Sequence, residues 1–464
     1  MTSFSSLSLA PAQLQALNTL GYHSMTPVQA QALPLILDGR DVIAQARTGS
    51  GKTAAFGIGI LQAINPRFFG AQALVLCPTR ELADQVGGEI RRLARGVPNI
   101  KLVLLCGGKP MGLQIGSLEH GAHIIVGTPG RIGDHLRKNT LRLDGLKILV
   151  LDEADRMLDM GFAEAVDAII EHTPADRQTL LFSATFPDAI RRMSQSIQRR
   201  PAAVTVAGEH AADVIEQHFY EVSREQRDDG LLRLFVHYRP ENALVFCQTR
   251  QQCDDVAALL CATDIQALAI HGDLEQRERD QVLVQFANAS CAVLVATDVA
   301  ARGLDISALA LVINYELPRS PDIYLHRIGR TGRAGVSGRA ASLVTPSDAP
   351  RLRGIEEQQG AAISCRSLPR AKGVAKYSLQ APMITLQLDA GRKQKLRPGD
   401  ILGALTGDAG LAADAIGKIE IHDRSSFVAV KREDLREAMA YLGRGKVKGR
   451  SIRARLIGTG PERT

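Results

Sequence analysis

The sequence predicts two tandem α/β domains with parallel sheets, followed by a small α+β domain. Short apolar, β-rich runs alternate with amphipathic helical patterns through about residue 345, and such runs are typical of strands buried on both faces. The runs form two series separated by residues 200–215, which contain Pro201 and Gly208. Near Met383 the pattern changes to short strands with one clear helix, which indicates a third domain of a different class.

The individual elements follow from these runs. In the first series the predicted strands are DVIAQ (41–45), ALVLC (73–77), KLVLLC (101–106), HIIVG (123–127), LKILVLD (146–152) and TLLFS (179–183). In the second they are ALVFC (243–247), AVLVAT (292–297) and LALVINY (309–315), and the third unit combines MITLQL, KIEIH and SFVAVK with the helix REDLREAMAYL. We therefore expect domains at 1–207, 208–365 and 383–460, joined before the last by a flexible, basic linker at 366–382.

Composition restricts the class of protein. Hydrophobic residues make up 45% and charged residues 23% of the 464 residues, as in soluble globular chains. No apolar run approaches the about 18 residues that span a bilayer, and the first residues lack the pattern of a secretory signal. Seven scattered cysteines without a C-x-x-C pair indicate free thiols of a reducing cytoplasm, buried at strand ends in the case of Cys77, Cys106 and Cys247. No membrane partner is expected.

Positive charge is concentrated in the segment 383–464. This segment holds 16 Lys or Arg and 10 Asp or Glu, and so accounts for six of the seven net positive charges of the chain. Its basic residues Arg444, Lys446, Lys448, Arg450, Arg453 and Arg455 follow one another with no acidic residue between them. Such a run is either a solvated surface or a phosphate-binding footprint, and charge alone does not decide between the two.

A glycine-containing segment, ARTGSGKT (46–53), follows the strand DVIAQ and precedes a helix. This context is typical of a phosphate-binding loop, in which Gly49 and Gly51 let backbone N–H groups turn toward phosphates. Lys52 is expected to reach the β- and γ-phosphates, and Thr53 to ligate Mg²⁺. The other predicted loop contacts are Ala46, Arg47, Thr48 and Ser50. A chance Gly-Lys-Thr turn is the alternative, and the position directly after a strand argues against it.

Acidic residues follow the apolar strand ILVL as Asp152-Glu153-Ala154-Asp155. Because the carboxyl ends of strands in an open α/β sheet border the ligand crevice, Asp152 is a candidate Mg²⁺ partner. Glu153 is a candidate base for the attacking water. An acidic helix N-terminus is the alternative, but Lys52 and Thr53 upstream favour the catalytic interpretation.

A basic segment in the second series, HRIGRTGR (326–333), supplies two arginines three residues apart. Arg330 and Arg333 are candidate arginine fingers for a γ-phosphate. The alternative, a solvated basic helix, is disfavoured by Gly329 and Gly332, because glycine is a poor helix former.

Further segments complete an ordered set. The set is GYHSMTPVQ (21–29), ARTGSGKT, PTREL (78–82), Gly107-Gly108, TPGR (128–131), DEAD (152–155), SAT (183–185), LVFCQTR (244–250), HGDLEQRERDQVLVQF (271–286), ATDVAARGLDI (296–306) and HRIGRTGR. In this order it resembles the motifs of the DEAD-box RNA helicases, over roughly residues 1–350. Ala46, where the general loop pattern has Gly, is the one departure. The resemblance implies two RecA-like domains that close on ATP, Mg²⁺ and single-stranded RNA.

The resemblance also implies nucleotide contacts outside the phosphate loop. Gln29 is expected to read the adenine edge and Tyr22 to stack on the adenine ring. Phe4 matches an aromatic residue that the family has farther upstream, and Asp305 matches the ribose contact.

RNA contacts and a coupling element are implied in the same way. The RNA-backbone contacts of the first domain are expected to be Pro78, Thr79, Arg80, Gly108, Thr128, Gly130 and Arg131. Arg250 and Thr297 lie in the matching stretches of the second domain, and Ser183 and Thr185 match the motif that couples hydrolysis to unwinding. Backbone amides, Thr hydroxyls and Arg suit phosphates and carry no base information, so the core is expected to be blind to RNA sequence.

The segment from Met383 to about residue 460 resembles the C-terminal RNA-binding module of the DbpA-type bacterial helicases, a divergent RRM-like fold. That resemblance implies a role in maturation of the large ribosomal subunit, with a 23S rRNA hairpin and pre-large-subunit particles as partners. Phe427 is the one aromatic residue in the candidate strands, so we expect the RNA surface on the basic segment rather than on the sheet. Its expected contacts are Lys448, Arg450, Arg453 and Arg455. A module that docks a protein partner is the alternative.

These features predict a cytoplasmic, RNA-dependent ATPase that separates short RNA duplexes and is directed to 23S rRNA by its C-terminal module. Three alternatives stay open: an ATP-gated RNA clamp that acts as an assembly scaffold, a cold-shock-type RNA helicase of broad specificity, and a DNA-translocating helicase. The compact C-terminal module argues against the second. Gln29 and the DEAD segment argue against the third, so no DNA partner is expected.

Overall fold

The computed structural model describes residues 2–46, 49–206, 215–301, 309–332, 338–370 and 376–457. These residues form two compact units, one made of the described residues up to 206 and the other of those from 215 onward. The first unit contains one sheet and the second contains two.

The first unit is built on seven parallel strands. They are β1 (Val42–Gln45), β2 (Ala73–Leu76), β3 (Leu102–Leu105), β4 (Ile124–Gly127), β5 (Ile148–Leu151), β6 (Gln178–Ser183) and β7 (Ala202–Thr205). Their order across the sheet is β3-β4-β2-β5-β6-β1-β7. β2, β4, β5 and β6 are buried along their whole length, which explains why β2, β4 and β5 carry no polar side chain and why β6 has an apolar centre. β7 is a partly exposed edge strand and is absent from the predicted strands.

Helices cover both faces of this sheet. Ala44 and Val75 belong to one apolar core, whereas their neighbours Ile43 and Leu74 belong to a second core, because successive strand residues point to opposite faces. The helices on the first face are Pro11–Thr19, Pro27–Leu37, Lys52–Ala63 and Arg80–Leu93. Those packed on the second are Met111–Leu118, Pro129–Arg137, Ala154–Asp159, Ala163–Ile170 and Asp188–Ile197.

The second unit begins with another seven-stranded parallel sheet. Its strands are β8 (Ile215–Glu221), β9 (Ala243–Cys247), β10 (Ala267–Ile270), β11 (Val293–Thr297), β12 (Leu311–Asn314), β13 (Gly338–Val344) and β14 (Cys365–Ser367), in the order β10-β11-β9-β12-β13-β8-β14. Its helices are Arg227–Tyr238, Arg250–Ala262, Gln276–Ala287, Asp298–Ala301, Pro321–Ile328 and Ala349–Gln359. The strand order repeats that of the first sheet, with each strand replaced by its counterpart.

The third sheet is small and antiparallel. Its strands are β15 (Met383–Leu388), β16 (Ile416–Ile421), β17 (Ser426–Lys431) and β18 (Ala454–Leu456), in the order β16-β17-β15-β18. One face packs on the helices Pro398–Gly403 and Leu435–Arg444 through a core that includes Leu386, Val428 and Leu442. This arrangement confirms the predicted α+β class of the C-terminal domain.

The other face of the small sheet is covered by the preceding domain. Phe427 packs with Ile457 and with Val284 of the helix Gln276–Ala287. Thr385 Oγ1 lies 2.7 Å from Ser290 Oγ, which adds a polar contact across the same junction. The C-terminal domain is therefore fixed on the second parallel-sheet domain by the face that carries no helices.

The stretch 366–382, expected to be a flexible linker, is structured at residues 376–382. Leu379 forms a parallel bridge with Ile265, and Tyr377, Leu379 and Ala381 pack on the core of the second sheet. The Gly and Pro content predicts mobility, whereas apolar residues at alternate positions give this part the character of an edge strand. It holds the two domains together rather than separating them.

Two further expectations concern the whole chain. Among the described residues, no helix has both the length and the hydropathy that a bilayer-spanning segment needs. All seven cysteines lie within the described residues and are free, and Cys77, Cys106 and Cys247 are buried as predicted.

Val284→Asp is expected to release the C-terminal domain from the second parallel-sheet domain, because it places a charge against Phe427 and Ile457. The measurement is limited proteolysis, in which we expect faster cleavage at residues 376–382. Ala287→Asp, at an exposed position of the same helix, is the matched control. Cleavage of Val284→Asp at the rate of the unsubstituted protein would contradict the docking described above.

Candidate active site and nucleic-acid interface

The predicted motifs of the first unit meet at one edge of its sheet. β1 to β6 are parallel, so their carboxyl ends lie together. In sheet order, the segments that follow these ends are Gly107-Gly108 after β3, TPGR after β4, PTREL after β2, DEAD after β5, SAT after β6 and ARTGSGKT after β1. The edge is thus divided. Candidate RNA contacts follow three neighbouring strands. The next three strands are followed by DEAD and ARTGSGKT, which hold candidate nucleotide contacts, and by SAT, the candidate coupling segment.

The phosphate loop has the backbone that its glycines predict. Gly49 and Gly51 have φ angles of 83° and 93°, in the left-handed region that glycine adopts without strain. Lys52 begins the helix Lys52–Ala63 and is 6% exposed, and its Nζ has no hydrogen-bond partner among the described residues. A buried amine without a partner is costly, so this position suits an anion such as a phosphate group.

Asp152 supplies the acidic counterpart of Lys52. It is 2% exposed, and its Oδ1 has no hydrogen-bond partner in the described part of the chain. Burial raises the pKa of Asp152 to about 6, against the opposing charge of Lys52 and with the support of Glu153. A buried carboxylate with an unused oxygen, next to a buried amine, fits a cation bound together with a phosphate.

Glu153 has an unusual backbone. Its φ of 54° places a non-glycine residue in the left-handed region, which is uncommon and is often found at functional sites. Arg156 Nη1 lies 3.0 Å from Glu153 Oε2, and both side chains are buried. Arg156 was not among the predicted site residues. Its spacing of one helical turn from Glu153 is the sequence signal that could have indicated it.

Asp155 and the SAT segment are joined directly. Asp155 Oδ2 accepts hydrogen bonds from the backbone N–H and the Oγ1 of Thr185, both at 3.0 Å. Ser183 Oγ donates to the Thr185 carbonyl at 2.7 Å, and the Ser183 carbonyl accepts from the N–H of Ala46 at 2.9 Å. These bonds connect the acidic segment and the end of β1 with Ser183 and Thr185.

Of the residues predicted upstream of the phosphate loop, Gln29 contacts that loop directly. Gln29 Nε2 donates to the Gly51 carbonyl at 3.1 Å and its Oε1 accepts from the N–H of Thr26 at 2.9 Å. A primary amide has two N–H groups and two lone pairs, so one of each is left for a ligand. The Tyr22 hydroxyl donates to Glu89 and the Tyr22 ring meets Phe4 edge-on at 6.2 Å.

The predicted RNA contacts of the first unit lie on the other half of the edge. Arg80 lies against Gly108, which has a φ of 72°, so closely that a Cβ on Gly108 would be 1.9 Å from Arg80 Nη1. Arg131 Nη1 donates to the Lys109 carbonyl at 2.9 Å. Thr79 and Thr128 precede the helices Arg80–Leu93 and Pro129–Arg137. Pro78 lies in the loop after β2, and Gly130 is the second residue of the helix Pro129–Arg137.

In the second unit, Arg250 and Thr297 lie at the carboxyl ends of neighbouring strands, and Arg250 pairs with Asp273. Arg330 is 3% exposed.

Sequence reasoning missed Arg327, which is fully buried and donates to both carboxylate oxygens of Asp298 at 2.6 and 2.9 Å. Arg327 thereby fixes the start of the HRIGRTGR segment to the helix Asp298–Ala301 that follows β11.

The four basic residues predicted in the C-terminal domain are all exposed, and they differ in their partners. Lys448 Nζ lies 3.0 Å from Asp400, and Arg455 lies 3.7 Å from Asp389. Arg450 and Arg453 form no ion pair with the described residues. Four other predicted site residues, Arg47, Thr48, Asp305 and Arg333, lie outside the described residues.

Three family models match this chain. They are DEAD/DEAH box helicase over residues 26–193, Helicase conserved C-terminal domain over 226–335 and DbpA RNA binding domain over 385–456. The ATP-dependent RNA helicase DbpA of Escherichia coli (strain K12) is 54% identical over 458 residues, which are 98% of this chain and 100% of that relative. The chain belongs to the DbpA-type DEAD-box ATP-dependent RNA helicases.

Two other relatives share a smaller part of this helicase. The DEAD-box ATP-dependent RNA helicase CshA of Geobacillus kaustophilus (strain HTA426) is 46% identical over 357 residues, which are 77% of this chain and 76% of that relative. The solved structure of S. cerevisiae Dbp5 bound to RNA and ADP BeF3 is 32% identical with a TM-score of 0.72, and the match covers 80% of this chain and 96% of that one. The protein is thus an ATP-dependent RNA helicase with a C-terminal RNA-binding domain.

Gly108→Ala is expected to destabilise this helicase by about 1–3 kcal/mol, because alanine is strained at a positive φ, and to displace Arg80. Gly88→Ala, on the helix Arg80–Leu93, is the matched control, since no atom lies within 4 Å of the added Cβ. Thermal unfolding measures the first effect, and the RNA concentration needed for half-maximal ATPase measures the second. Equal behaviour of the two variants would show that Gly108 is not constrained as described.

Proposed function

We propose that this helicase is an RNA-dependent ATPase that separates short RNA duplexes beside a 23S rRNA hairpin during assembly of the large ribosomal subunit in the cytoplasm. The observation that carries the proposal is the match of the DbpA RNA binding domain over residues 385–456, within a chain 54% identical to a DbpA along its whole length. This domain also favours a directed helicase over a cold-shock-type helicase of broad specificity.

In the proposed reaction, Lys52 holds the β- and γ-phosphates of ATP and Glu153 accepts a proton from the attacking water. Thr53 and Asp152 would hold Mg²⁺, which when bound neutralises charge that develops on the phosphate oxygens. The unused Lys52 Nζ and Asp152 Oδ1 support this assignment, because each is buried and each suits one of these groups. Burial also excludes water, so these charges act more strongly than they would at the surface.

The remaining nucleotide contacts are assigned by position. Gln29 offers one N–H and one lone pair to the adenine edge. Tyr22 stacks on the adenine ring, and Asp305 contacts the ribose. Arg330 and Arg333 add positive charge at the γ-phosphate.

RNA is proposed to bind along the other half of the edge. Arg80, the N–H of Gly108 and the start of the helix Pro129–Arg137 contact successive phosphates, and Arg250 and Thr297 continue the contacts on the second domain. None of these groups reads a base, so the core positions RNA without identifying it. The bonds from Asp155 to Thr185 connect the acidic segment with the SAT segment, and we assign the coupling of hydrolysis to unwinding to this connection.

Recognition of the rRNA hairpin is proposed to use the basic segment of the C-terminal domain. The sheet face carrying Phe427 is covered by the second domain, whereas Arg450 and Arg453 are exposed and have no acidic partner in the described residues. Docking also holds this surface at a set position on the second domain. A hairpin bound there raises the effective concentration of a neighbouring duplex at the helicase core.

Glu153→Gln is expected to retain ATP and RNA binding and to lower ATP turnover by at least about a hundredfold, because the amide cannot accept the proton of the attacking water. Nucleotide binding, RNA binding and ATPase rates are measured separately, and a strand-displacement assay reports unwinding. Glu164→Gln, on an exposed helix position, is the control. Near-normal turnover by Glu153→Gln would refute its role as base. Duplex separation by the unsubstituted protein excludes a clamp that does not unwind.

Arg450→Gln combined with Arg453→Gln is expected to weaken binding of the 23S rRNA hairpin and to reduce the slope of its salt dependence by about two, one for each lost phosphate contact. The paired residues Lys448 and Arg455 should contribute less when replaced by Gln.

Lys418→Gln, on the opposite edge of the small sheet, is the control for this experiment. The readout is RNA-stimulated ATPase on the rRNA hairpin and on a scrambled hairpin of equal length. If the unsubstituted helicase does not distinguish the two RNAs, the proposed targeting is wrong. If it does, and the double variant keeps the full preference, specificity lies elsewhere than the basic segment.

A further inference from the structure

Two loops that are proposed to contact RNA are held together by a chain of buried hydrogen bonds. Gln114, on the helix Met111–Leu118, is 5% exposed, and its Nε2 donates to the Cys106 carbonyl at 2.8 Å. Cys106 directly precedes Gly107 and Gly108. The other end of the same amide, Gln114 Oε1, lies 3.1 Å from Nε2 of His135. His135 is fully buried on the helix Pro129–Arg137, which begins within TPGR.

The Cys106 carbonyl determines which group donates and which accepts in each of these hydrogen bonds. The Cys106 carbonyl can only accept, so Gln114 must present its NH₂ group there and its oxygen to His135. His135 Nε2 therefore carries a proton and donates it. In the neutral ring Nδ1 is left to accept from Thr140 Oγ1 at 2.8 Å, which is shorter than the 3.2 Å from the same hydroxyl to the His135 carbonyl. Burial, with the charge of Arg131 adding, lowers the pKa of His135 from its usual value, in keeping with this neutral form.

A second contact joins the same helix to the same loop. Arg131 Nη1 donates to the Lys109 carbonyl at 2.9 Å. Arg131 and His135 are four residues apart and so lie on one face of their helix. The segment from Cys106 to Lys109 is thereby held at both ends, directly through Arg131 and indirectly through Gln114 and His135.

We propose that Gln114 and His135 are positioning residues that set the spacing between the Gly107-Gly108 loop and the start of the TPGR helix. This rests on the proposed RNA contacts of Arg80, Gly108 and Thr128–Arg131. Groups that bind successive phosphates of one strand must be held within about 0.5 Å of their productive positions. Neither Gln114 nor His135 needs to touch RNA for this effect, because each acts through the backbone that it holds.

Gln114→Glu tests the hydrogen bond from Gln114 Nε2 to the Cys106 carbonyl. Glutamate keeps the size of the side chain and still accepts from His135, but it cannot donate to the Cys106 carbonyl. We expect the RNA concentration for half-maximal ATPase to rise about three- to tenfold, the range of one hydrogen bond. The ATPase rate without RNA and the rate at saturating RNA should stay unchanged. Gln62→Glu, on an exposed helix position, is the matched control.

Two substitutions of His135 separate positioning from packing. His135→Gln keeps an N–H near the place of Nε2, and His135→Asn places its amide nearer to Nδ1. We expect His135→Gln to retain the RNA dependence within about twofold and His135→Asn to shift it as Gln114→Glu does. The double variant Gln114→Glu/His135→Asn should be no worse than either single change, because both break one connection. Thermal unfolding of the two His135 variants should be alike.

The outcomes separate this proposal from the proposed function. Arg80→Ala should itself raise the RNA concentration for half-maximal ATPase. If Arg80→Ala has this effect and Gln114→Glu does not, the loops bind RNA and the positioning role is wrong. Equal shifts in His135→Gln and His135→Asn also overturn it, since they would report lost packing. If Arg80→Ala has no effect, the RNA contacts themselves are wrong and the positioning role fails with them.

Discussion

Parallel pairing of the central strands is the constraint on which both candidate sites depend. It places the carboxyl ends of β1 to β6 at one edge, although the segments that follow them are far apart in sequence. The ladder also continues one residue past several strands. The N–H groups of Ala46, Cys77 and Asp152 donate to carbonyls of neighbouring strands at 2.9–3.0 Å. The first residue of each loop is therefore held by the sheet, and only the residues beyond it are free to adapt to a ligand.

The second parallel sheet repeats this plan with a different distribution of charge. In strand order β8 is the counterpart of β1, and the helix that follows it begins with Arg227 where the first domain has Lys52. Arg227 pairs with Glu316 and with Asp348, which follow β12 and β13. The positive charge is thus neutralised internally, whereas Lys52 Nζ has no hydrogen-bond partner in the described residues. This difference gives a physical reason for assigning ATP to the first of two similar sheets.

Local sequence predicts those parts of the structure that are decided locally. The strands β2, β4, β5, β6, β9, β11 and β12 were predicted from their apolar runs, because a strand buried on both faces needs few polar residues. The strands β7, β8, β10, β13 and β14 were not. β7, β10 and β14 are edge strands of three or four residues, and β8 (IEQHFYE) and β13 (GRAASLV) mix polar with apolar residues, so none of the five carries a long apolar run. Glycines of the phosphate loop and acids after a strand are likewise local signals.

Long-range pairs account for what the sequence did not reveal. Arg327 binds Asp298 and His135 binds Gln114 across 29 and 21 residues, and no spacing rule of a helix or strand relates such positions. The docking of Phe427 on Val284 is of the same kind. The sequence pattern of each domain is consistent with a domain that stands alone. Only the folded protein shows that the second domain covers the helix-free face of the small sheet.

The chemistry of that docking face separates two tasks of the C-terminal domain. Phe427 with Val284, and Thr385 with Ser290, are neutral pairs, so salt and a polyanion have little to act on at this junction. RNA binding, in contrast, depends on charge and weakens as the salt concentration rises, because the release of counterions from RNA then becomes less favourable. An interface made of ion pairs would compete with RNA for the same arginines and lysines. Among the described residues, Arg432 donates to the Ala381 carbonyl at this junction, but Lys448, Arg450, Arg453 and Arg455 make no contact there. The basic segment is therefore left for a polyanion while the domain stays attached to the second domain.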